Sequence, residues 1–275
     1  MSTISATDYE FIRRLVYDHS RINLGHDKVE LVCSRLRKRL RTLNMVGFGQ
    51  YFDFLRSPAG EEEVTDLLDV ISTNVTDFFR EPVHFQFMRE TALPEWGQAR
   101  HRKKGDVFQV WSAACSSGEE PYTLAMTLAE YAREHPGFNW RVTASDLSTR
   151  MLDRAREGVY RLERIKLPSP DMLRRYFQRG TGQYEGHARV KPELRHHLEF
   201  RHQNLMEPYP FDFKFDLIFC RNVMIYFDRK TQETLVPRLR NQLDPHGYLF
   251  VGHSESLIGI DKALKLIRPS VYRRA

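Results

Sequence analysis

The residues best suited to chemistry lie between positions 107 and 122, where an apolar β-prone run is followed by small side chains and two acids. The small residues from 112 to 118 would let the backbone approach a ligand closely, and Pro121 suits the first turn of a helix. The start of that helix offers free N–H groups, but Glu119 and Glu120 stand where a phosphate would otherwise bind. Because carboxylates repel phosphate and attract cations, this pattern predicts a nucleotide-like site for a positively charged ligand.

A further acid follows the next predicted strand, at residues 139–145. Asp146 stands at the tip of that strand, where an acid in a βαβ unit can accept hydrogen bonds from both hydroxyls of a ribose. Asp146 could instead cap the following helix. The ribose role is favoured because the small-residue turn precedes it.

The third candidate group follows a buried strand predicted at residues 215–219. Arg221 and Asn222 come soon after it, and binding residues collect at the carboxyl ends of parallel strands. We therefore expect this pair to face the same cleft as Gly118 and Asp146.

Three other kinds of site are disfavoured. Four histidines have no matching set of acids or cysteines, so they are interpreted as surface residues and no metal site is predicted: His187, His196, His197 and His202. No G-x-S-x-G motif accompanies residues 253–255 (HSE), which argues against a hydrolase. The absence of G-x-G-x-x-G and the acids after the turn argue against an NAD-dependent oxidoreductase.

An α/β sheet with helices on both faces would position these residues, and an all-helical segment precedes it. Apolar residues repeat at helical spacing over residues 1–72, with no strand signal among them. In the linker at residues 73–82, the polar residues Asn74, Thr76 and Arg80 alternate with apolar ones. The linker could be a helix cap followed by core aromatics, or a lid over the ligand. We predict a helical domain at 1–72 and the α/β domain at 83–275.

The alternation of strands and helices breaks between residues 168 and 200. Clustered glycines between short β-like runs predict a small antiparallel insert at about 178–203. The exposed edge of such an insert could take an added peptide strand.

The 275 residues carry a formal net charge of +6 and a pI near 9.2, which fits a nucleic acid or any other acidic partner. Basic residues are concentrated in one predicted helix, at Arg35, Arg37, Lys38, Arg39 and Arg41. A run of charges is usually a solvated face, but charges of one sign repel one another within a helix. The run is therefore interpreted as a docking face for an acidic partner.

The three cysteines, Cys33, Cys115 and Cys220, are widely spaced, which indicates a reducing compartment rather than a disulfide framework. The N-terminus lacks the features of a signal peptide, and no run is apolar enough to span a bilayer. We expect a cytoplasmic protein without membrane insertion.

Four motifs resemble the chemotaxis receptor methyltransferases, the CheR family, in the same order along the chain. They are residues 73–80 (TNVTDFFR), 111–122 (WSAACSSGEEPY), 220–227 (CRNVMIYF) and 252–255 (GHSE). The resemblance covers essentially the whole chain. It implies a Rossmann-like sheet of the class I methyltransferase kind.

The resemblance implies methylation of glutamate side chains on chemoreceptors, the methyl-accepting chemotaxis proteins, for sensory adaptation. S-adenosylmethionine would be the donor and S-adenosylhomocysteine the product. The basic helix would dock on the cytoplasmic domains of receptors, the insert would grip a receptor's C-terminal peptide, and the protein would be recruited to membrane receptor arrays. Arg80 and Tyr226 would lie next to the reacting carboxylate. The donor site would comprise Asn74, Thr76, Arg80, Glu119, Glu120, Asp146, Asn204, Leu205, Arg221 and Asn222.

This chemistry agrees with the residues and leaves two alternatives. A sulfonium donor is cationic, which suits the acids after the turn, and a glutamate nucleophile is ionised at pH 7, so no general base is required. A nucleic-acid methyltransferase would fit the basic pI, but those acting on base amines usually carry an Asn/Asp-Pro-Pro-aromatic motif where this chain has residues 221–224 (RNVM). A non-catalytic adaptor that binds the donor and docks on receptors is disfavoured by the presence of Arg80 and Tyr226.

Overall fold

The computed structural model describes residues 3–99, 103 and 105–275 of the chain. These residues form two compact units. The first contains the chain up to Thr73 together with Tyr226–Thr231, and the second contains Asn74–Ile225 and Gln232–Ala275. Within the described residues, no helix combines the length and the apolar character needed to cross a bilayer.

The first unit is built of helices. They are α1 (Ala6–Ser20), α2 (Val29–Thr42), α3 (Phe48–Arg56) and α4 (Glu63–Ile71). Helix α1 begins where the Oγ atom of Ser5 accepts the N–H of Asp8 at 3.1 Å, because a side-chain acceptor at this position satisfies a donor that the helix leaves free. Side chains of the unit that are fully buried include Ile12, Val16, Leu36, Tyr51, Phe52 and Leu67.

A segment from far along the chain completes this unit. Ile22 and Phe227 form an antiparallel bridge. The hydroxyl of Tyr17 donates a hydrogen bond to Asp228 at 2.7 Å. The segment Tyr226–Thr231 is therefore part of the helical unit.

The second unit contains ten strands and seven helices among its described residues. The strands are β1 (Val107–Ala113), β2 (Asn139–Asp146), β3 (Val159–Arg161), β4 (Phe177–Arg179), β5 (His187–Val190), β6 (Leu198–His202), β7 (Phe215–Cys220), β8 (Leu243–Phe250), β9 (Leu264–Arg268) and β10 (Val271–Arg274). The helices are α5 (Val83–Phe87), α6 (Leu93–Gln98), α7 (Glu119–Glu134), α8 (Thr149–Glu157), α9 (Pro170–Tyr176), α10 (Pro192–Arg195) and α11 (Arg229–Gln242), the last of which begins in the first unit. A π-helical turn at Met88–Ala92 joins α5 to α6.

The main sheet has the strand order β6-β2-β1-β7-β8-β10-β9. Strands β6, β2, β1, β7 and β8 pair in parallel with their neighbours. Strand β10 pairs antiparallel with both β8 and β9. Since parallel strands need crossover connections, this topology explains the alternation of strands and helices in the sequence.

Both faces of the main sheet are covered. Val110 and Trp111 are neighbours on β1 and are both fully buried, although side chains alternate between the faces of a strand. Val110 lies in the main apolar core, which also contains residues of α5 and α7. On the other face, the indole of Trp111 contacts three rings: Tyr209, Phe211 and Phe215. The predicted α/β class, with an all-helical N-terminal part, is thus confirmed.

The small antiparallel sheet exists as predicted, but it overlaps the predicted insert only in part. Its strand order is β3-β5-β4, so it begins at Val159 and its last strand ends at Val190. The predicted bounds of 178–203 are wrong, because β6 (Leu198–His202) pairs in parallel with β2 in the main sheet. Short runs of similar composition do not reveal their partner, and the partner of β6 is more than fifty residues away in sequence.

A buried ion pair joins α2 to α4 in the helical unit. Arg39 donates two hydrogen bonds to Glu63, at 2.8 and 2.6 Å, and also pairs with Asp66. The hydroxyl of Tyr51 donates to the same Glu63 carboxylate at 2.9 Å, and only 4% of the Glu63 side chain is exposed. Burial and the neighbouring Glu63 charge raise the pKa of Tyr51, so its hydroxyl stays protonated and remains a donor.

We expect Arg39→Met to lower the free energy of unfolding by about 3–5 kcal/mol, because Glu63 would be left buried without its counter-charge. Arg37→Met is the matched control, since Arg37 lies exposed on the same helix, and a surface change of this kind is worth within about 0.5 kcal/mol. Urea denaturation of both variants measures the difference. Equal stabilities would show that the pair is not structurally important.

Candidate active site

Three strand ends meet at one edge of the main sheet. In the pairing register, Ala113 of β1 lies opposite Ser145 of β2 on one side and opposite Cys220 of β7 on the other. These three strands run parallel, so the loops that follow them surround the same cleft. The small-residue turn, Asp146 and the stretch after β7 are therefore brought together, as the sequence predicted.

The turn between β1 and α7 requires glycine at its last position. Gly118 has a φ of +99°, in the region that side chains rarely adopt. A Cβ atom there would lie 2.7 Å from the Tyr160 hydroxyl oxygen and 2.8 Å from the Cβ atom of Ala155. Ala114 and Ser116 also have positive φ values. The backbone is thus tightly folded ahead of the helix start, where it packs closely against Tyr160 and Ala155.

Asp146 holds this turn against the end of β2. One carboxylate oxygen accepts the N–H of Ser116 at 2.7 Å, and the other accepts the N–H of Ser148 at 2.9 Å. The cap of α8 is Ser148, whose Oγ atom accepts the N–H of Met151 at 3.1 Å, so Asp146 is not the N-cap residue. Asp146 therefore ties the small-residue turn to the start of α8 through two backbone hydrogen bonds.

The two acids at the start of α7 are largely buried. Glu120 accepts hydrogen bonds from the hydroxyl of Ser112 at 2.7 Å and from Arg221 at 3.0 Å. Glu119 accepts one from the hydroxyl of Ser117 at 2.7 Å. Burial raises the pKa of both carboxyl groups, although Arg221 and the hydroxyls oppose this. A cationic ligand beside them would offset the cost of burying their charge.

Arg221 links the end of β7 to two other segments. Its side chain is 1% exposed and pairs with Glu81 at 2.9 Å and with Glu120 at 3.0 Å. It also donates to the carbonyl oxygen of Arg80 at 2.6 Å. The charge of Arg221 is therefore used within the protein, where it joins the linker to the first turn of α7.

Two acids that the sequence did not single out shape the cleft. Glu81 pairs with Arg221 and accepts a hydrogen bond from the side-chain amide of Asn222 at 3.3 Å. Glu255 accepts the N–H groups of Asn222 at 2.9 Å and Gly252 at 2.5 Å, which fixes the loop after β7. Both acids lie at or next to a sequence motif. Glu81 directly follows the 73–80 motif, and Glu255 is the last residue of the GHSE motif.

The linker crosses the small-residue turn and α7. The hydroxyl of Ser116 donates to the carbonyl oxygen of Asn74 at 3.1 Å, and the N–H of Phe79 donates to the hydroxyl of Thr123 at 3.1 Å. Arg80 folds back on the linker and donates to the carbonyl oxygen of Val75 at 2.9 Å. Phe78 of the same segment is buried in the main apolar core against Tyr160 and Phe177, so the linker both supplies core aromatics and contacts the small-residue turn.

The predicted adenine-side pair follows β6. The N–H of Gln203 donates to the carbonyl oxygen of Asp146 at 3.0 Å, so the chain leaves β6 beside the end of β2. The side chain of Asn204 accepts the N–H of Met206 at 3.0 Å, and Leu205 is buried.

Tyr226 belongs to the helical unit, unlike Arg80. There its carbonyl oxygen accepts the N–H of Asn23 at 2.8 Å. The two predicted catalytic residues are thus contributed by different units of the structure.

The predicted docking residues on α2 separate into two groups. Arg35 donates to the carbonyl oxygen of Ile71 and to the hydroxyl of Thr73, and Arg39 pairs with Glu63 and Asp66. Three cations of the run are exposed: Arg37, Lys38 and Arg41. Because Arg35 and Arg39 are held inside the unit, the three exposed cations are better placed to meet an acidic partner.

Family models match both units of the chain. The model described as "CheR methyltransferase, SAM binding domain" matches residues 74–272, and "CheR methyltransferase, all-alpha domain" matches residues 7–72. A chemotaxis protein methyltransferase of Salmonella typhimurium is 42% identical over 270 residues, which covers 98% of this chain and 90% of that protein. The protein of the same name from Escherichia coli is 41% identical, covering 98% of this chain and 91% of that protein.

Among solved structures, this chain is similar to a glycopeptide N-methyltransferase complexed with S-adenosylmethionine. The TM-score is 0.34 at 15% identity, over 59% of this chain and 53% of that chain. A likeness of this extent adds nothing to the assignment.

The fold, the cleft and the matched S-adenosylmethionine-binding domain define an S-adenosylmethionine-dependent methyltransferase with a Rossmann-like sheet. More particularly, the chain belongs to the CheR methyltransferase family, since the two models and relatives above 40% identity cover nearly all of it. The resemblance seen in the sequence motifs is thereby confirmed.

We expect Gly118→Ala to weaken S-adenosylhomocysteine binding at least tenfold, because the added Cβ atom would displace the turn at the helix start. Its cost in unfolding free energy should exceed that of Gly137→Ala by about 1–3 kcal/mol, the usual penalty of overpacking. Gly137 is the matched control, since its φ is +92° but nothing lies within 4 Å of its added Cβ atom. Calorimetric titration and urea denaturation measure the two effects, and equal binding by both variants would contradict the role given to the turn.

Proposed function

We propose that this protein transfers a methyl group from S-adenosylmethionine to glutamate side chains of chemoreceptors, and so takes part in sensory adaptation. The observation that carries the proposal is the pair of buried acids, Glu119 and Glu120, at the helix start of a Rossmann-like cleft in a CheR-family chain. An anion-binding site would have left that helix start free of carboxylates.

The residues around the cleft fit this donor. In this proposal, Asp146 accepts hydrogen bonds from the ribose, and Asn204 and Leu205 flank the adenine. Glu119 and Glu120 receive the positively charged methionyl end. Asn74, Thr76 and Arg80 contribute from the linker side, which corresponds to residues 73–82, while Arg221 and Asn222 complete the site from the end of β7.

The chain's own contribution to the reaction is alignment rather than proton transfer. S-adenosylmethionine, when bound, supplies an electrophilic methyl group on a sulfonium centre. The glutamate substrate is already ionised at pH 7, so no side chain of this protein needs to remove a proton. Arg80 and Tyr226 orient the carboxylate by hydrogen bonding. Because a strong grip would lower the nucleophilicity of the carboxylate, their main effect is positioning and exclusion of water.

A filter assay with labelled donor tests the proposal. The full chain is offered a receptor cytoplasmic fragment, RNA and DNA in parallel, and a receptor variant whose methylated glutamates are changed to alanine serves as the control. Label should enter only the unaltered receptor fragment. Labelling of nucleic acid would favour the nucleic-acid methyltransferase, whereas donor binding without transfer to any of these would favour a non-catalytic adaptor.

We expect Arg80→Ala to lower the turnover number by about 10–100-fold with less than about a threefold change in donor affinity, because a positioning group acts on the reacting carboxylate. Arg89→Ala is the control, since Arg89 lies half-exposed on the helix after the linker and pairs with Glu134. Steady-state kinetics and calorimetry give the two quantities. Equal losses in both would make Arg80 a donor ligand only.

We further propose that the helical domain at 1–72 docks on receptors and thereby recruits the protein from the cytoplasm to receptor arrays. The exposed cations Arg37, Lys38 and Arg41 supply the positive surface. The small antiparallel sheet is proposed to bind a receptor's C-terminal peptide, which the short edge strands β3 and β4 support by offering unpaired backbone groups.

We expect reversal of charge at Arg37, Lys38 and Arg41 (each to Glu) to reduce receptor methylation at least tenfold at low salt, without changing donor affinity. The attraction of exposed charges falls with ionic strength, so the difference should shrink as salt is added. A control with the same net charge reverses Arg154, Lys262 and Lys265, which are also exposed but lie in the other unit. If both triple variants methylate receptors alike, the docking role of α2 is wrong.

A further inference from the structure

Glu81, His84 and His253 come together in the α/β unit, beside the proposed donor cleft. The Nδ1 atom of His84 lies 3.5 Å from an Oε atom of Glu81, and the Nε2 atom of His253 lies 3.9 Å from the same oxygen. Within the part of the chain that the structure describes, these three side chains form a group whose ligand atoms are all within 4.8 Å of one another.

His84 carries an unsatisfied nitrogen directed into this group. The residue is completely buried, and no described residue offers its Nδ1 atom a hydrogen-bond partner. The other ring nitrogen lies 3.2 Å from the hydroxyl oxygen of Ser270. Buried polar atoms are nearly always paired, so an orphan nitrogen facing a carboxylate indicates that something else occupies the space between them.

We propose that Glu81, His84 and His253 form a binding site for a divalent transition metal of the Zn²⁺ class. Two nitrogens and one carboxylate oxygen are a donor set that zinc takes in proteins, with a fourth position left open. Tetrahedral ligands about 2.1 Å from a metal are about 3.4 Å apart; the His84–Glu81 distance of 3.5 Å matches this value, and the His253–Glu81 distance of 3.9 Å requires a small movement of the half-exposed His253 side chain. Imidazole rings on one such metal have centroids about 5 Å apart, and those of His84 and His253 are 5.1 Å apart.

The charges around the group favour a cation. Burial disfavours a charged ring at His84, and a neutral imidazole has a lone pair to offer a metal. The Glu81 carboxylate, which pairs with Arg221 at 2.9 Å, contributes a negative charge to the group.

Arg221 is the group that would repel a metal, but its charge is outweighed. Three carboxylates surround it, those of Glu81, Glu120 and Glu255, through direct pairing or through the backbone of Asn222. When Arg268 is also counted, whose charge acts on His84 as well, two guanidinium groups face three carboxylates, and the remaining negative charge favours a cation.

The surroundings also provide access and orientation. Half of the His253 side chain is exposed, at 51%, so an ion can reach the group from solvent. The contact with Ser270 fixes the ring of His84, as the outer partner of a metal-binding histidine does. Because Glu81 also pairs with Arg221, a metal there would bind the same carboxylate that holds the linker in place.

The test is a titration of the full chain, stripped of metal with a chelator, with Zn²⁺ followed by calorimetry and with Co²⁺ followed by visible absorption. We expect one ion per chain and the absorption of tetrahedral Co²⁺. His253→Gln should weaken Zn²⁺ binding at least tenfold, since it removes one of three ligands at a half-exposed position where folding is not at risk. His196→Gln, at an exposed histidine outside the group, should leave binding unchanged.

Thermal unfolding provides a second readout, because a ligand of the native state raises its stability. Zn²⁺ should raise the Tm of the wild-type chain and of His196→Gln, but not that of His253→Gln. The proposal is overturned if the wild-type chain shows no saturable Zn²⁺ binding, or if His253→Gln binds Zn²⁺ as tightly as the wild type. Neither result bears on the proposed methyl transfer, which is measured in metal-free buffer.

Discussion

The guanidinium of Arg221 is the constraint on which the rest of the cleft depends. With 1% of its side chain exposed, its charge is costly to bury unless counter-charges lie beside it, and these come from Glu81 of the linker and Glu120 of α7. A buried ion pair contributes little net stability relative to apolar residues, but leaving one partner alone costs about 3–5 kcal/mol. We infer that the ion pairs of Arg221 with Glu81 and Glu120 fix the linker, the start of α7 and the end of β7 in a single arrangement.

The cleft differs from a phosphate-binding site by few residues. The tight turn at Gly118 and the helix start that follows it are the features by which such sheets bind anions. Glu119 and Glu120 reverse the preference, because burying carboxylates at that point makes a cation the favourable occupant. Asp146 accepts two backbone N–H groups, so the acid assigned to the ribose also fixes the turn. A backbone geometry that binds anions in other sheets is therefore suited here to a cationic ligand.

The features that the sequence predicted are local ones. Gly118, the two acids after it and Asp146 could be placed because each lies within a few residues of a strand end. The features it missed depend on pairing between distant segments. Glu81 and Arg221 are 140 residues apart, Arg39 and Glu63 are 24 apart, and neither pair is marked by any periodicity.

Strand β6 shows the same limit for the fold. Its five residues are partly exposed and resemble the short runs of the antiparallel insert, so only the pairing with β2 reveals that it belongs to the main sheet. The basic run on α2 likewise appeared uniform in sequence. In the structure, Arg35 and Arg39 are occupied inside the unit while their neighbours on the same helix face solvent.

The segment Tyr226–Thr231 affects how chimaeras between members of this family should be designed. Its bridge with Ile22 and its hydrogen bond to Tyr17 make it a component of the helical unit, although the matched all-alpha domain ends at residue 72. A chimaera that joined the first 73 residues of one relative to the remainder of another would mismatch these contacts. To transfer the helical unit intact, a chimaera must therefore also include Tyr226–Thr231 from the same parent.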